Sequence, residues 1–274
     1  MDHREILRHY GIRAQKSLGQ NFLVNDEILE TIADSIDITG KDILEIGPGY
    51  GALTEKILTR KPKSLTLIEL DKQMINILNS RIYEKDLVIP EETEFTIIEG
   101  DVLKQSPVMA SYSVIANIPY YITSPILFRF LHELENKPDE MIILMQKEVG
   151  DKICEKKGYH HSYLSLALEF SCETIEEICL VEKGNFIPAP KIDSSVLYFK
   201  RKEGYDIAEA KRFLSITSAG FTSPRKKLLS NLANALHIPK DTLLASFKQI
   251  GLLETARAEE LGIEKWNELI KLIP

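Results

Sequence analysis

The first part of the chain alternates between short apolar runs and stretches in which apolar residues recur every three or four positions. The runs predict buried strands at residues 42–46, 64–68, 95–98, 112–116 and 141–145. Two later strand candidates, residues 175–181 and 195–199, flank a loop that contains prolines. Because strands and amphipathic helices alternate, the pattern predicts an α/β fold with a doubly wound, mostly parallel sheet.

The predicted helices in this part begin at residues whose side chains commonly cap helices. Asp26 is expected to cap the first helix, and the apolar face of that helix consists of Ile28, Leu29, Ile32, Ala33 and Ile36. Residues 52–58 read as the helix after the first strand. Asp71 is expected to cap the helix after the second strand, and Thr123 or Ser124 the helix after the fourth.

Beyond residues 200–204 the periodicity is helical only. Apolar residues recur at helical spacing around residues 213–221, 228–236, 243–250 and 266–272. We therefore place a linker near residues 201–206. The predicted domains are residues 1–203, which contain the sheet, and residues 204–274, a small all-helical C-terminal domain.

Composition narrows the class of protein. The chain has 274 residues, of which 44% are hydrophobic and 27% charged, which is typical of a soluble globular protein. No apolar run approaches the roughly 20 residues of a membrane span, and the first twenty residues contain no secretory apolar block. Cys154, Cys172 and Cys179 are odd in number and lack CxxC spacing, so we expect reduced core thiols in a cytoplasmic protein.

The net charge of −7 argues mildly against a general nucleic-acid binder. Basic residues are nevertheless clustered at three places. They occur at residues 4–16 (Arg4, Arg8, Arg13 and Lys16), at residues 200–202 and at residues 225–227. Each cluster can contact phosphate or can be a solvated surface.

A tetrapeptide after the fourth strand carries the most specific chemistry. Pro119 removes an amide donor and restricts Ile118 to extended geometry, so the strand ends here. In open α/β sheets, ligands bind at the carboxyl ends of the strands. The Asn117 amide oxygen, with a carbonyl of Ile118 or Pro119, can accept both N–H bonds of an exocyclic base amine, and Tyr120 can stack on the base. The alternative is an Asx-type turn in which Tyr120 is a half-buried wall.

Polar residues or glycine turns also follow the first three strands. Gly47, Gly49 and Gly51 differ from the dinucleotide G-x-G-x-x-G pattern, and they suit a ligand whose amino-acid tail needs close backbone approach. Glu69 can accept both hydroxyls of a ribose, and Asp101 can accept an adenine amino group. Each feature also has a local structural explanation: a βα turn, a helix-start acid and an Asx turn. Together, at one sheet edge, they predict a pocket for S-adenosylmethionine.

A series of motifs in the same order resembles the ribosomal RNA adenine N6,N6-dimethyltransferases of the KsgA type, which are related to the Erm-type resistance methyltransferases. The matching stretches are residues 16–23, 45–54, 68–71, 100–103, 117–125, 145–149, 186–194, 225–227 and 257–261. The resemblance implies a Rossmann-like class I S-adenosylmethionine-dependent methyltransferase sheet. Residues 1–203 would then be the S-adenosylmethionine-binding catalytic domain, and residues 204–274 the helical RNA-recognition domain. Tyr121 departs from the family pattern, which more often has a polar residue at that position.

The resemblance also implies roles for individual residues. The implied cofactor-binding residues are Asn21, Leu23, Gly47, Gly49, Glu69, Asp101 and Asn117. The implied catalytic residues are Asn117, Pro119, Tyr120 and Phe186. Phe186 takes the family's second aromatic position, on a loop that its prolines are expected to keep exposed; the alternative is a core residue. The implied RNA-binding residues are Lys200, Arg201, Lys202, Arg225, Lys226 and Lys227.

The implied reaction is S-adenosylmethionine-dependent N6,N6-dimethylation of two adjacent adenines in a hairpin loop near the 3′ end of small-subunit (16S-type) rRNA, in ribosome biogenesis. No metal is required. The expected partner is rRNA within a small ribosomal subunit or its precursor, and a cytoplasmic monomer without membrane contact is expected. Two alternatives stay open: an adenine methyltransferase with another target, such as large-subunit rRNA, and a non-catalytic ribosome-assembly or transcription factor.

Overall fold

The secondary structure follows the predicted alternation. In the computed structural model, which describes residues 2–155, 160–204 and 206–274, the strands are β1 (Phe22–Leu23), β2 (Asp42–Ile46), β3 (Ser64–Glu69), β4 (Glu94–Glu99), β5 (Ser113–Asn117), β6 (Glu140–Gln146), β7 (Cys172–Val181), β8 (Phe186–Ile187) and β9 (Ser194–Arg201). The α-helices are α1 (His3–His9), α2 (Asp26–Asp34), α3 (Ala52–Thr59), α4 (Lys72–Tyr83), α5 (Thr123–Phe128), α6 (Lys147–Ile153), α7 (Tyr163–Ser171), α8 (Ile207–Gly220), α9 (Leu228–Leu236), α10 (Lys240–Gln249) and α11 (Ile263–Leu272). Every strand predicted from an apolar run is present.

The main sheet has the order β4-β3-β2-β5-β6-β9-β7. β2 pairs in parallel with β3 on one side and with β5 on the other, and β9 is antiparallel to β6. The predicted doubly wound, mostly parallel sheet is therefore confirmed. Because the strand order reverses between β2 and β5, a crevice opens at the carboxyl ends of these strands.

The central strands are apolar on both faces. Ile43, Leu44, Ile115 and Ile142 are fully buried, as expected where helices cover a parallel sheet on both sides. Such strands have continuous apolar runs, which explains why the sequence pattern located them well.

The caps of the helices were predicted correctly at one of three places. Asp71 caps α4, since its side chain accepts a hydrogen bond from the Gln73 amide at 2.9 Å. The cap of α2 is Asn25, not Asp26, which is already the first helical residue. Neither candidate caps α5, because a short 3₁₀ turn over Tyr120–Ile122 leads directly into the helix and removes the need for a side-chain cap.

Five short elements of the described chain were absent from the sequence prediction. α1 and α6 have seven residues each and α7 has nine, and β1 and β8 have two residues each. β1 and β8 form an antiparallel ribbon in which Phe22 is opposite Ile187 and Leu23 is opposite Phe186. Two residues are too few to establish a period, so this pairing has no local sequence pattern.

The chain forms two compact units, Met1–Gly150 with Thr174–Arg201, and Asp151–Glu173 with Lys202–Pro274. The predicted linker coincides with the transition at residues 201–202. Residues 151–173, however, belong to the second unit, whereas the sequence analysis placed them in the first domain. The reason is α7, which packs into the helical core, where Phe170 stacks on Phe213 with ring centroids 4.4 Å apart.

The described helices are short. The longest, α8, has 14 residues. None of them combines the length and the apolar character that crossing a membrane would require.

A buried arginine holds α4 against the turn that follows β2. Arg81 is 0% exposed. Its guanidinium donates to the Tyr50 carbonyl at 2.8 Å and contacts the carboxylates of Asp86 at 2.6 Å and Glu55 at 3.0 Å. Because every arm of the guanidinium has a partner, its charge is compensated in the interior.

We expect Arg81→Ala to lower the free energy of unfolding by about 3 kcal/mol, since removing one member of a buried ion pair leaves its partners unsatisfied. Denaturant titration measures this change. The control is Lys63→Ala, which breaks the exposed Lys63–Asp42 pair and should cost no more than about 1 kcal/mol. Equal losses in the two variants would show that the Arg81 network has no special weight.

Candidate active site

A cavity of about 330 Å³ lies at the carboxyl ends of β2, β3 and β5, within the usual size range of small-molecule sites. All the residues that the sequence analysis assigned to cofactor binding or catalysis lie on its lining. They are Asn21, Leu23, Gly47, Gly49, Glu69, Asp101, Asn117, Pro119, Tyr120 and Phe186. The fold therefore brings together residues that are up to 165 positions apart in the chain.

The glycine turn after β2 exposes backbone to this cavity. Gly47 and Gly49 have φ of +66° and +56°, in the left-handed region that glycine adopts without strain. The Gly47 amide donates to the Ile68 carbonyl at 2.9 Å. A Cβ on Gly49 would lie 3.3 Å from the Phe22 ring, so a side chain there would also crowd the wall of the cavity.

Glu69 is held by backbone amides at the end of β3. It is 7% exposed, and its two carboxylate oxygens accept from the Gly49 amide at 3.0 Å and from the Asp71 amide at 2.8 Å. Burial raises the pKa of the Glu69 carboxyl, and the hydrogen bonds from Asp71 and Gly49 act in the opposite direction. Each oxygen keeps a further lone pair, so the carboxylate can still accept hydrogen bonds from a diol in the cavity.

Asp101 shows the local turn and the exposed acceptor together. One carboxylate oxygen accepts from the Leu103 amide at 3.0 Å, which is an Asx turn. The other lies 3.7 Å from the Lys104 ammonium, and the side chain is 35% exposed. The turn therefore orients the carboxylate without using all of its acceptor capacity.

Three residues that sequence reasoning missed attach the amino-terminal segment to this site. The side-chain amides of Gln20 and Gln15 both donate to one Asp71 carboxylate oxygen, at 2.7 and 2.9 Å. Asp71 itself donates its amide to Glu69. Asp71 was recognised only as a helix cap, and no sequence pattern indicates a contact between residues more than fifty positions apart.

Asn117 is the last residue of β5 and lines the cavity. Within the described ranges no hydrogen bond occupies its side-chain amide, which leaves the amide available to a ligand. Ile118 lies buried beside it. The polar Asn117 amide therefore faces the cavity at the carboxyl end of β5, while the apolar Ile118 side chain packs in the interior.

Tyr120 stands in the 3₁₀ turn and is fixed at its far end. Its hydroxyl lies 2.7 Å from the hydroxyl of Ser194, which is fully buried at the start of β9. The ring therefore forms a positioned wall of the cavity. The sequence analysis treated a half-buried wall and a stacking surface as alternatives for Tyr120, and the ring can be both.

The expectation of an exposed loop at Phe186 was wrong. Phe186 is 3% exposed and lies in β8, where pairing with Leu23 of β1 covers it. The prolines that follow do not prevent this pairing. The ring nevertheless reaches the cavity lining, so burial and a role in the site are compatible.

Glu45 is a buried acid to which the sequence analysis gave no role. It is 1% exposed, and the Thr54 hydroxyl donates to its carboxyl group at 2.7 Å. Burial raises the pKa of Glu45 to about 8; the hydrogen bond from Thr54 opposes this shift, and the nearby charge of Glu69 adds to it. Glu45, Glu69 and Asp101 are among the described residues that line the cavity, and none of those lining residues is a lysine, arginine or histidine. Such a lining suits S-adenosylmethionine, which carries a sulfonium and an ammonium group.

The predicted basic cluster at residues 200–202 lies elsewhere. Lys200 pairs with Glu140, the first residue of β6, which is at the opposite edge of the sheet from the cavity. Arg201 binds Asp139 and the Pro138 carbonyl, each at 2.9 Å. Lys202 donates to two carbonyls at the end of α7. These contacts favour a structural role for Arg201 and Lys202.

The second predicted basic cluster lies in the helical unit. Arg225, Lys226 and Lys227 are exposed in the turn before α9. The Lys227 ammonium is 3.9 Å from the Glu254 carboxylate. In the described chain, Arg225 and Lys226 have no ion-pair partner, so both are accessible cations.

Comparisons with known proteins agree on one family. The family model described as Ribosomal RNA adenine dimethylase matches residues 11–274. A protein of Bacillus cytotoxicus named Ribosomal RNA small subunit methyltransferase A is 37% identical over 97% of this chain and 93% of its own length. A protein of the same name from Fusobacterium nucleatum is 37% identical over 94% of this chain and 97% of its own length.

Solved structures support the same fold. A dimethyladenosine transferase from Plasmodium falciparum superposes with a TM-score of 0.73 at 25% identity, covering 89% of this chain and 94% of its own. The 23S rRNA methyltransferase ErmE superposes with a TM-score of 0.71 at 23% identity, covering 92% of this chain and 99% of its own. At this lower identity, the ErmE match shows a shared fold alone.

The buried carboxyl of Glu45 should make stability depend on pH. Its pKa is near 8 in the folded protein and about 4.3 in an unfolded chain. Between these two values the unfolded chain ionises Glu45 while the folded protein keeps it neutral. The contribution of Glu45 to the free energy of unfolding is therefore fully present below pH 4.3 and is lost as the pH rises to 8, at about 1.4 kcal/mol per pH unit. The neutral variant Glu45→Gln should lack this loss. Its free energy of unfolding relative to wild type should rise between pH 5 and pH 8, and a constant difference would show that Glu45 is ionised in the folded state.

Proposed function

Because the chain belongs to the ribosomal RNA adenine dimethylase family, we propose that it dimethylates N6 of two adjacent adenines in a hairpin loop near the 3′ end of small-subunit rRNA. The single observation that carries this proposal is the Asn117 amide. In the part of the chain that the structure describes, this amide makes no side-chain hydrogen bond, and it lies at the end of β5 on the same cavity as Glu69 and Asp101. A polar group that can bind an amine thus faces a pocket that can hold a methyl donor.

The lining residues fit S-adenosylmethionine as the donor. When bound, S-adenosylmethionine supplies a methyl group on a good sulfonium leaving group. Gly47 and Gly49 would admit its amino-acid tail against the backbone, and Glu69 would accept the ribose hydroxyls. Asp101 would accept the adenine amino group. Asn21 and Leu23 would cover the ligand, since their segment is tied to Asp71 through Gln20.

Asn117 would orient the attacking amine. Its amide oxygen and a carbonyl of Ile118 or Pro119 would accept the two N–H bonds of adenine N6 and favour a pyramidal nitrogen. Pro119 sets the backbone direction at this point. Positioning supplies most of the acceleration in such a transfer. The N6 proton becomes acidic on alkylation and can pass to water, so no lining side chain has to act as a base.

Two aromatic rings would hold the target base. Tyr120 would stack on one face, in the orientation that its bond to Ser194 fixes, and Phe186 would contact the base from the β1–β8 ribbon. An adenine has to leave its helical stack to enter such a pocket. Bases in a hairpin loop cost least to extract and are the usual targets of sequence-specific RNA recognition.

The proposed setting is the ribosome. We place the protein in the cytoplasm as a monomer, with rRNA in a small ribosomal subunit or its precursor as partner, and we assign RNA recognition to the helical unit. Relatives named for the small subunit share 37% of their residues with this chain, which favours that target over large-subunit rRNA. Mapping dimethyladenosine in rRNA from cells with and without the gene tests the choice. Loss of the modification from large-subunit rRNA alone would overturn it.

Asn117→Ala should separate catalysis from cofactor binding. We expect kcat to fall by about 10²–10³, the usual cost of removing one aligned polar group at a reacting centre, while S-adenosylmethionine affinity stays near that of wild type. Methylation of rRNA and calorimetric titration measure the two quantities. Methylation at the wild-type rate would remove Asn117 from the reacting centre.

The matched variant for this experiment is Glu69→Ala. It should weaken cofactor binding by roughly 1.5–3 kcal/mol, the range for hydrogen bonds to a charged group. Its kcat at saturating cofactor should fall less than that of Asn117→Ala. An unchanged dissociation constant would mean that Glu69 only shapes the turn after β3.

Replacing Arg225, Lys226 and Lys227 by alanine should weaken RNA binding and flatten its dependence on salt. Each neutralised phosphate contributes about 0.7 log units of affinity per tenfold salt for single strands, so the slope should fall by roughly two units. Cofactor affinity should not change. A control with the same charge change is Lys240→Ala/Lys248→Ala/Lys271→Ala in the same unit. Parallel slopes for wild type and the first variant would show that this turn is a solvated surface.

A further inference from the structure

A second groove, of about 620 Å³, lies beside the cavity. It is lined by α1, by the segment that follows α1, and by the β1–β8 ribbon. Its floor is apolar, with Ile12, Ile187 and Pro188 among the lining residues. Its rim is basic, with Arg4, Arg8 and Arg13. The proposed function makes no use of this groove.

The three arginines are accessible and uncompensated. Arg4 and Arg8 stand one turn apart on the same face of α1, and Arg13 follows shortly after the helix. All three are exposed. In the described residues none of them lies within ion-pair distance of a carboxylate, although the protein as a whole is acidic. By contrast, Arg60 and Arg81 in the same unit are each paired with two acids.

The groove and the cavity share one thin wall, the β1–β8 ribbon. The cross-strand pair of Leu23 and Phe186 contributes to the cavity, while Ile187 lines the groove. Phe22, which is paired with Ile187, lines both spaces. This division follows from strand geometry, since neighbouring residues of a strand point to opposite faces and opposite residues share a face.

We propose that this groove binds the RNA nucleotide next to the target adenine, with its phosphate on the arginines and its base or sugar on the apolar floor. The inference rests on the proposed function and adds a second binding site to it. When a base lies inside the cavity, the nucleotides next to it in the RNA strand must pass over the wall of that cavity. Guanidinium groups bind phosphate oxygens with two hydrogen bonds. An apolar floor beside such groups suits the flat face of an unstacked base.

The test is the salt dependence of binding to a fluorescein-labelled RNA hairpin whose loop carries two adjacent adenines, without cofactor. Arg8→Gln/Arg13→Gln should weaken binding and flatten the slope by roughly 1.4 log units per tenfold salt, since each lost phosphate contact removes about 0.7. Arg8→Lys/Arg13→Lys should restore most of the slope, because the charges return. The slope of Lys61→Gln/Lys63→Gln, which has the same change in net charge at the other edge of the sheet, should match that of wild type.

Photocrosslinking locates the occupant. With p-benzoylphenylalanine in place of Ile187, we expect a crosslink to a nucleotide directly flanking a target adenine. Crosslinks confined to the hairpin stem would overturn the proposal. So would parallel salt slopes for wild type and Arg8→Gln/Arg13→Gln. A second copy of this chain as the occupant would appear as a concentration-dependent sedimentation coefficient that this variant abolishes, together with parallel RNA slopes.

The experiments distinguish failure of the proposed function from failure of the groove proposal. A wild-type protein that binds the hairpin with the groove-dependent slope but leaves small-subunit rRNA unmodified would overturn the dimethylation and leave the groove as an RNA site. Normal methylation together with parallel salt slopes for wild type and Arg8→Gln/Arg13→Gln would overturn the groove as an RNA site and leave the dimethylation in place. Binding without cofactor and methylation are thus independent readouts.

Discussion

The carboxylate of Glu69 is the interaction on which the arrangement of the site depends. Its two oxygens join the glycine turn after β2 to the start of α4 through the amides of Gly49 and Asp71. Asp71 in turn holds the amino-terminal segment through Gln15 and Gln20. One buried acid thus positions the glycine turn and, through Asp71, the amino-terminal segment that covers the cavity. Its position at the end of β3 makes this possible, because the carboxyl ends of neighbouring parallel strands lie at the same edge of the sheet.

The same site brings three acids, Glu45, Glu69 and Asp101, to one cavity. Glu45 lies fully buried under the turn, and its carboxyl group is satisfied by Thr54. Glu69 and Asp101 add acceptors on the cavity wall. Burial raises the pKa of Glu45 and of Glu69 and so favours their neutral forms, whereas a cationic ligand in the cavity would favour the charged forms. The lining therefore favours a cationic ligand over a neutral or anionic one, independently of any specific hydrogen bond.

The sequence was sufficient for the sheet and for most of the cavity, because both follow from local patterns. Strands such as β2 and β5 are buried on both faces and appear as apolar runs, and the turns at their carboxyl ends converge in any parallel sheet. What the sequence could not predict depends on distant contacts. The pairing of β1 with β8 buries Phe186, and the tie from Gln20 to Asp71 crosses fifty-one positions. Neither partner has a pattern that points to the other.

The β1–β8 ribbon also sets an order of events during synthesis. Phe22 and Ile187 are 165 positions apart, so at about 5–20 residues per second the partner of Phe22 appears roughly 8–33 s after it. Until then the amino-terminal segment has no strand to pair with, and the wall that Leu23 and Phe186 share does not exist. A nascent chain can thus form the central strands while the place for a base is still missing. The last-made part of the first unit completes the cavity that its first-made part begins.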